Sequence, residues 1–203
     1  NSGTGLAALI AIGLNASGLT TAVTLGTSTN NGLSAPVVWR GADSYFNTAY
    51  AGDLTGRLWK ITNFHSGVPT STTVFSATTS AGVAQPITAA PQVAVRPNSG
   101  GEVWIFFGTG RYLNANDIGD KQVQTWYGIK DGASFTGRSE LMQRSIISEE
   151  EIIVTPDDPA IDGDQSVKRV VRAVSTGNLT EVASRRGWYM DLVPPNGLAQ
   201  GER

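Results

Sequence analysis

No cysteine occurs in the 203 residues. Disulfide frameworks, thiolate metal centres and cysteine nucleophiles are excluded at once, while the compartment stays open. Histidine occurs once, at His65 in the loop-like "NFHSGVP", so a Ser-His-Asp triad or a histidine zinc site would have to be built on that one side chain. A surface position is the commoner use of such a residue. Charge is sparse as well, and the formal net charge of -2 offers no basic surface for nucleic acid. Arg138 in "TGRSE" and Arg185 in "SRRGW" read as scattered, solvated cations.

Long hydrophobic runs are missing too. The most apolar stretch, "GLAALIAIGL" from Gly5 to Leu14, has about half the length a membrane helix needs. It lacks the basic flank and small-residue cleavage pattern of a signal peptide. No membrane insertion is expected in this segment. The chain starts on Asn1 without Met and stops at Arg203, which suggests a piece of a longer polypeptide.

What is abundant is glycine, 24 residues of it, among many threonines and serines. That composition favours short strands joined by tight turns. Ala35-Pro36 in "GLSAPVVW" returns 55 positions later as Ala90-Pro91 in "PITAAPQVAV". Each pair is followed by a strand-like run and a glycine, Gly52 or Gly108, then by Gly-Arg and two bulky apolar residues. Those are Leu58-Trp59 in the first copy and Tyr112-Leu113 in the second. A period near 55 residues is slightly longer than a propeller blade. "LAALIAIGLNASGLTTAVTL" and "QTWYGIKDG" read as further strands, with Trp126, Gly128 and Lys130 spaced like an outer blade strand. A β-sandwich with two similar hairpins is the alternative.

Beyond Gly132 the pattern fails. Ser139 predicts a cap on a short helix over Glu140 to Ile147, and Glu149-Glu150-Glu151 with the Asp-Pro-rich tail predicts an exposed excursion. "VKRVVRAVS", "TEVASRR" and "GWYMDLV" return to strand periodicity. The expectation is therefore an all-β chain with blades of a β-propeller kind, forming a single domain over residues 1–203. A short helical or irregular insertion spans 132–165.

"TAYAGDLTGRLWKI" predicts a hairpin. Asp53 accepts hydrogen bonds from turn amides, Gly56 supplies positive φ, and Trp59 and Ile61 share one face opposite Leu58 and Lys60. "VWIFFGTGRYL" is not a nucleotide loop, because the third glycine and a following amphipathic helix are missing. Asp53, Asp117 and Asp120 would make a paired-carboxylate hydrolase only at a distance that sequence does not give. Three Asn/Asp-rich stretches offer oxygen ligands for calcium. They are Asp43, Ser44 and Asn47; Asn114, Asn116, Asp117 and Asp120; and Asp157, Asp158, Asp162 and Asp164. None has the spacing of a standard calcium loop, and such turns are usually only turns.

"GLSAPVV", "AYAGDLTGRLWKI", "PITAAPQV", "FFGTGRYL", "QTWYGIKD", "RSELMQRSI" and "GWYMDLVPPNGLAQGER" occur in one order. Together they closely resemble the C-terminal region of the PilC/PilY family, the tip-associated assembly factors and adhesins of bacterial type IV pili. The resemblance runs from about Gly32 to Arg203. It implies a modified propeller of the quinoprotein-like kind. It also implies a non-enzymatic role at the pilus tip on the cell surface, reached through the periplasm or outer membrane. There the family promotes fibre assembly with minor pilins, opposes retraction, and takes part in adhesion to a host or surface receptor, in surface sensing and in twitching motility. Family members continue past the "GER" with another strand-forming segment and carry a large N-terminal adhesive region, so an incomplete propeller is implied here.

The family also carries a calcium loop before the "AYAGDL" strand. Its last two ligands fall on Asp43 and Asn47, whereas its first two fall on Trp39 and Gly41, which have no side-chain oxygen. Calcium is the one cofactor the resemblance raises, at a degenerate loop. Two rival readings use the same fold. One is a quinoprotein-like dehydrogenase, which needs a complete propeller around a central cofactor. The other is a glycan-binding propeller that stacks sugars on Trp39, Trp104 or Trp126.

Overall fold

A computed structural model describes residues 6–12, 20–27, 29, 31–40, 46–63, 68–154, 167–177, 179–193 and 195. The short alternating runs become fourteen strands among the described residues. They are β1 (Ala7–Ile12), β2 (Thr20–Leu25), β3 (Val37–Arg40), β4 (Phe46–Gly52), β5 (Arg57–Thr62), β6 (Thr70–Ser76), β7 (Gln92–Val95), β8 (Val103–Gly108), β9 (Thr125–Lys130), β10 (Phe135–Thr136), β11 (Met142–Arg144), β12 (Ile146–Val154), β13 (Val167–Val174) and β14 (Gly187–Asp191). One six-residue helix, α1 (Leu179–Ser184), precedes β14.

Each Ala-Pro pair leads into the edge strand of a blade. The first sheet has the order β10-β6-β5-β4-β3 and the second β11-β14-β9-β8-β7. In both, four antiparallel strands are followed by a short parallel strand on the outer side, β10 beside β6 and β11 beside β14. The described sheets do not close into a ring, and the architecture is a partial propeller.

Packing follows from the period of two in β5. Leu58 points into a core shared with the second sheet, where Tyr50, Phe75, Ile105, Phe107, Tyr127 and Ile129 are all buried. Trp59 and Ile61 point the other way, into a separate core with Ala7, Val23 and Leu25 of the β1–β2 hairpin. The blade is thus covered on both faces. Burying a large aliphatic or aromatic side chain contributes roughly 1.5–3 kcal/mol, so the inner core carries most of the apolar stabilisation. Phe75 lies 4.9 Å from Phe135 and 5.1 Å from Tyr127 between ring centroids, in the tilted arrangements aromatic pairs prefer.

Three expectations are corrected. The helix over Glu140 to Ile147 does not form; that stretch holds β11 and the start of β12 instead, with Leu141, Met142 and Ile146 buried. "TEVASRR" is largely α1 and not a strand. Its Thr-x-Val-x-Ser alternation suits a strand, yet Val182 falls one turn from Leu179 and a single helical turn serves as well. β9 is the centre of its sheet and not an outer strand, since β8 and β14 flank it. The excursion between β9 and β14 carries β10 to the first sheet, β11 to the second, and a separate antiparallel arm made of β12 and β13.

The two repeat copies also diverge. Gly56-Arg57-Leu58-Trp59 opens β5 directly, whereas Gly110-Arg111-Tyr112-Leu113 stays in a loop and β9 starts only at Thr125. The shared letters mark the end of β4 and β8, and not the same next strand.

Candidate functional site: one rim of the blade pair

The β4–β5 turn, the β6–β7 connection, the β8–β9 loop and the end of β14 lie along one rim and are stitched together by backbone bonds. Asp53 C=O accepts from Ile87 N at 2.9 Å, Pro86 C=O from Gly110 N at 2.7 Å, and Gln124 C=O from Leu192 N at 2.9 Å. The turn itself is closed by Asp53, which is fully buried. Its Oδ1 accepts from Thr55 N (2.8 Å), Thr55 Oγ1 (2.7 Å) and Arg57 N (3.0 Å), and its Oδ2 accepts from Trp59 Nε1 (2.8 Å). Gly56 has φ +80°, and a Cβ there would stand 2.6 Å from Ala77 O. Glycine is required on both counts.

Between the blades sits a polar network. Gln85 is fully buried; its Nε2 donates to Val123 O (2.6 Å) and Thr125 Oγ1 (2.8 Å), and its Oε1 accepts from Tyr127 Oη (2.9 Å). Arg138 completes it. Its Nε donates to Thr78 O (2.7 Å), Nη1 to Asp191 Oδ2 (2.9 Å), and Nη2 to Gln85 Oε1 (3.2 Å) and Thr125 Oγ1 (3.0 Å). The guanidinium also lies 4.6 Å over the Tyr189 ring. Burial pushes the Tyr127 hydroxyl above its usual range, against the pull of Arg138. The network borders a cleft of about 600 Å³ whose lining includes Thr79, Val83, Gln122, Val123, Arg138 and Asp191. From sequence alone Arg138 reads as a solvated cation. Arg138 lies in the bend after β10 and its partner Asp191 ends β14, far along the chain, and no local spacing signals such a pair.

The β8–β9 loop turns about Asp117. This carboxylate accepts from Leu113 N (2.8 Å), Asn114 N (3.1 Å) and Arg111 Nε (2.8 Å), while Asn114 Oδ1 caps the following 3-10 turn through Asn116 N. The outcome is a stiffened loop that displays Tyr112, Leu113 and Ile118, each more than 60% exposed. The Asn114 to Asp120 stretch weighed for calcium is thereby occupied in building the turn; Asp120 Oδ1 accepts from Gln122 N.

Backbone bonds from Leu113, opposed by desolvation and reinforced by Asn114 and Arg111, hold the Asp117 carboxyl below its ordinary value of 3.8. A lowered folded value means the turn's stabilisation is fully present above 3.8 and is lost only as pH falls through the lowered value. Hydrogen exchange read at the Leu113 and Asn114 amides is expected to stay protected down to about pH 4. Loss of protection already near pH 5–6 would contradict this assignment.

The other predicted site residues fare differently. Asp43, Ser44, His65 and the Asp157 to Asp164 stretch lie outside the described residues. Asn47 is in β4 at the register shift where Trp39 pairs with Thr48 and Arg40 with Phe46, at the rim opposite the stitched one. Trp39, at the first ligand position of the family's calcium loop, packs against the inner core. An indole used in that way does not fit a cation loop. Of the two other tryptophans weighed for sugar stacking, Trp104 is 6% exposed with Nε1 donating to Glu102 Oε1, and Trp126 is 55% exposed on the outer face of the second sheet.

A two-blade body of this topology, its rim held together by its own polar groups and displaying apolar side chains, belongs to the propeller class. Residues 62–145 match the family model described as the PilY1 beta-propeller domain. The chain is 38% identical over 178 residues to a Type IV pilus biogenesis factor PilY1 homolog of Xylella fastidiosa, covering 87% of this chain and 13% of that protein. It is 31% identical over 231 residues to Type IV pilus biogenesis factor PilY1 of Pseudomonas aeruginosa, covering 97% of this chain and 19% of that one. The crystal structure of the Pseudomonas aeruginosa PilY1 C-terminal domain superposes with a TM-score of 0.67 at 28% identity, over 90% of this chain and 43% of the other. The chain belongs to the PilY1 family and corresponds to part of its C-terminal propeller. It spans less than a fifth of the length of those two relatives.

Proposed function

We propose that this segment serves type IV pilus biogenesis as a non-enzymatic scaffold at the pilus tip. In this reading the stitched rim meets minor pilins, and the whole protein promotes fibre assembly, opposes retraction and contributes to adhesion. Kinship along most of the chain to proteins named as type IV pilus biogenesis factors is the observation that carries the role. The local support is physical. Three large apolar side chains held out on a loop that a buried carboxylate stiffens lose little conformational entropy on docking. Aromatic and aliphatic anchors of this kind dominate protein interfaces.

The test is complementation. A PilY1-deficient strain receives a relative's gene carrying this segment in place of its own. Surface pili are expected to return with the unaltered segment. They should fall at least about tenfold with Tyr112→Ser, Leu113→Ser and Ile118→Ser combined, since anchor truncations cost 2 kcal/mol or more. Unfolding midpoints should stay close to the parent, because the three side chains are already in water. Undiminished piliation with the triple variant would remove the rim from the reading, and normal piliation after deleting the segment would remove the role itself.

A further inference from the structure

The β12–β13 arm is a two-stranded sheet with no third strand among the described residues. Two strands alone are marginal in water, and an open edge is a template for pairing. The arm is nevertheless rich in β-branched residues that face solvent. Ile147, Ile152, Ile153, Val170, Val171 and Val174 are each 40% exposed or more. Its edges carry opposite charge. β12 holds Glu149, Glu150 and Glu151 in consecutive positions with no cation, whereas β13 holds Lys168, Arg169 and Arg172 with no acid.

Inside the arm, Arg172 Nε donates to Glu149 Oε2 at 2.6 Å and Lys168 Nζ to Glu151 Oε1 at 2.7 Å. Glu150 falls on the other face, opposite Val171, and has no ion pair among the described residues. Three carboxylates in three successive residues crowd like charge more than three cations spread over five. The β12 edge therefore gains most from a cation brought alongside.

We infer that β12 is a docking edge for an extended segment of a partner protein in which lysine or arginine alternates with β-branched residues. Added as a third strand, that segment satisfies the free backbone groups of β12, sets its cations against Glu150 and its neighbours, and covers the exposed isoleucines. A second copy of this chain has the matching pattern in β13 but fits poorly. Joining β12 to the β13 of a neighbour would place successive bodies two strand widths apart, about 10 Å, while each body carries five-stranded sheets about 20 Å across. A lone strand from another protein meets no such obstacle.

The probe is an octapeptide of alternating valine and lysine, labelled and titrated into the full chain. Three comparisons accompany it: the same peptide with every backbone nitrogen methylated, a valine–glutamate octapeptide, and the Glu150→Lys chain. Saturable binding is expected for the valine–lysine peptide only, weakened at least about fivefold by Glu150→Lys, which leaves both cross-strand ion pairs in place. Absence of binding, equal binding of the methylated peptide, or preference for the glutamate peptide would each overturn the proposal. So would concentration-dependent self-association of the chain that Glu150→Lys abolishes, since the occupant would then be a second copy. None of these readouts depends on piliation, so the docking edge and the pilus role stand or fall separately.

Discussion

Replacing Arg138 by Leu is expected to destabilise the blade pair by about 3–4 kcal/mol. The arithmetic rests on what is left behind. Removal of the guanidinium leaves the Asp191 carboxylate without its cation, keeping only Thr125 Oγ1 as a donor, and takes one donor each from the Thr78 carbonyl and Gln85 Oε1, in a network that is mostly out of water, although Asp191 keeps some solvent access. An unpaired charge at such a site costs more than the pair gains when intact. Arg138→Lys should recover only part of the loss. One ammonium cannot reach Thr78 O, Asp191, Gln85 and Thr125 together, as the planar fork does. Urea unfolding followed by tryptophan fluorescence reads both variants. A midpoint for Arg138→Leu within experimental error of the parent would show that the seam is held by apolar packing alone.

Asp53→Ala is expected to cost about 3 kcal/mol by the same measurement. Two backbone amides, a hydroxyl and the Trp59 indole N–H lose their acceptor at a fully buried site, and each unsatisfied donor costs about 1–3 kcal/mol before water and relaxation reduce the sum. Asp53→Asn separates charge from geometry. The amide oxygen can still serve Thr55 and Arg57, but the amide nitrogen then faces Trp59 Nε1, donor against donor. A cost between those of the parent and the alanine variant is expected. Should Asp53→Asn be as stable as the parent, the Trp59 bond would carry no weight in the turn.

These two residues also show where sequence reasoning reaches and where it stops. The Asp53 turn was legible because every cause is local: an acceptor, a glycine at positive φ and a strand on each side, all within a few residues. The two-faced burial of β5 followed from its alternation. The Arg138 network was not legible, because its partners sit on segments scattered from Thr78 to Asp191 and meet only once both sheets exist. The excursion after β9 was misread for a related reason. β10 and β11 are two and three residues long, too short to show a period, and they are strands only because a sheet edge awaits them. Glu150 and Glu151 are exposed as expected, whereas the Glu149 side chain is only 9% exposed beside Arg172, and a run of like charge gives no hint that it forms one side of a hairpin. In sequence the rim loop stands out for its Asn and Asp residues. Its apolar display follows from Asp117 turning inward, which no local pattern encodes.

The route of the chain through that excursion governs the order in which the molecule is assembled. β9 meets β8 across one loop, whereas its other neighbour, β14, arrives about 60 residues later, after the chain has visited the outer edge of the first sheet and returned. Until Gly187 is seated against Ile129, the exposed side of β9 stands ready to pair with any passing strand. The same excursion brings β10 to the first sheet well before β14 completes the second. During folding, the interval of greatest hazard is therefore the time taken by a single long loop to close.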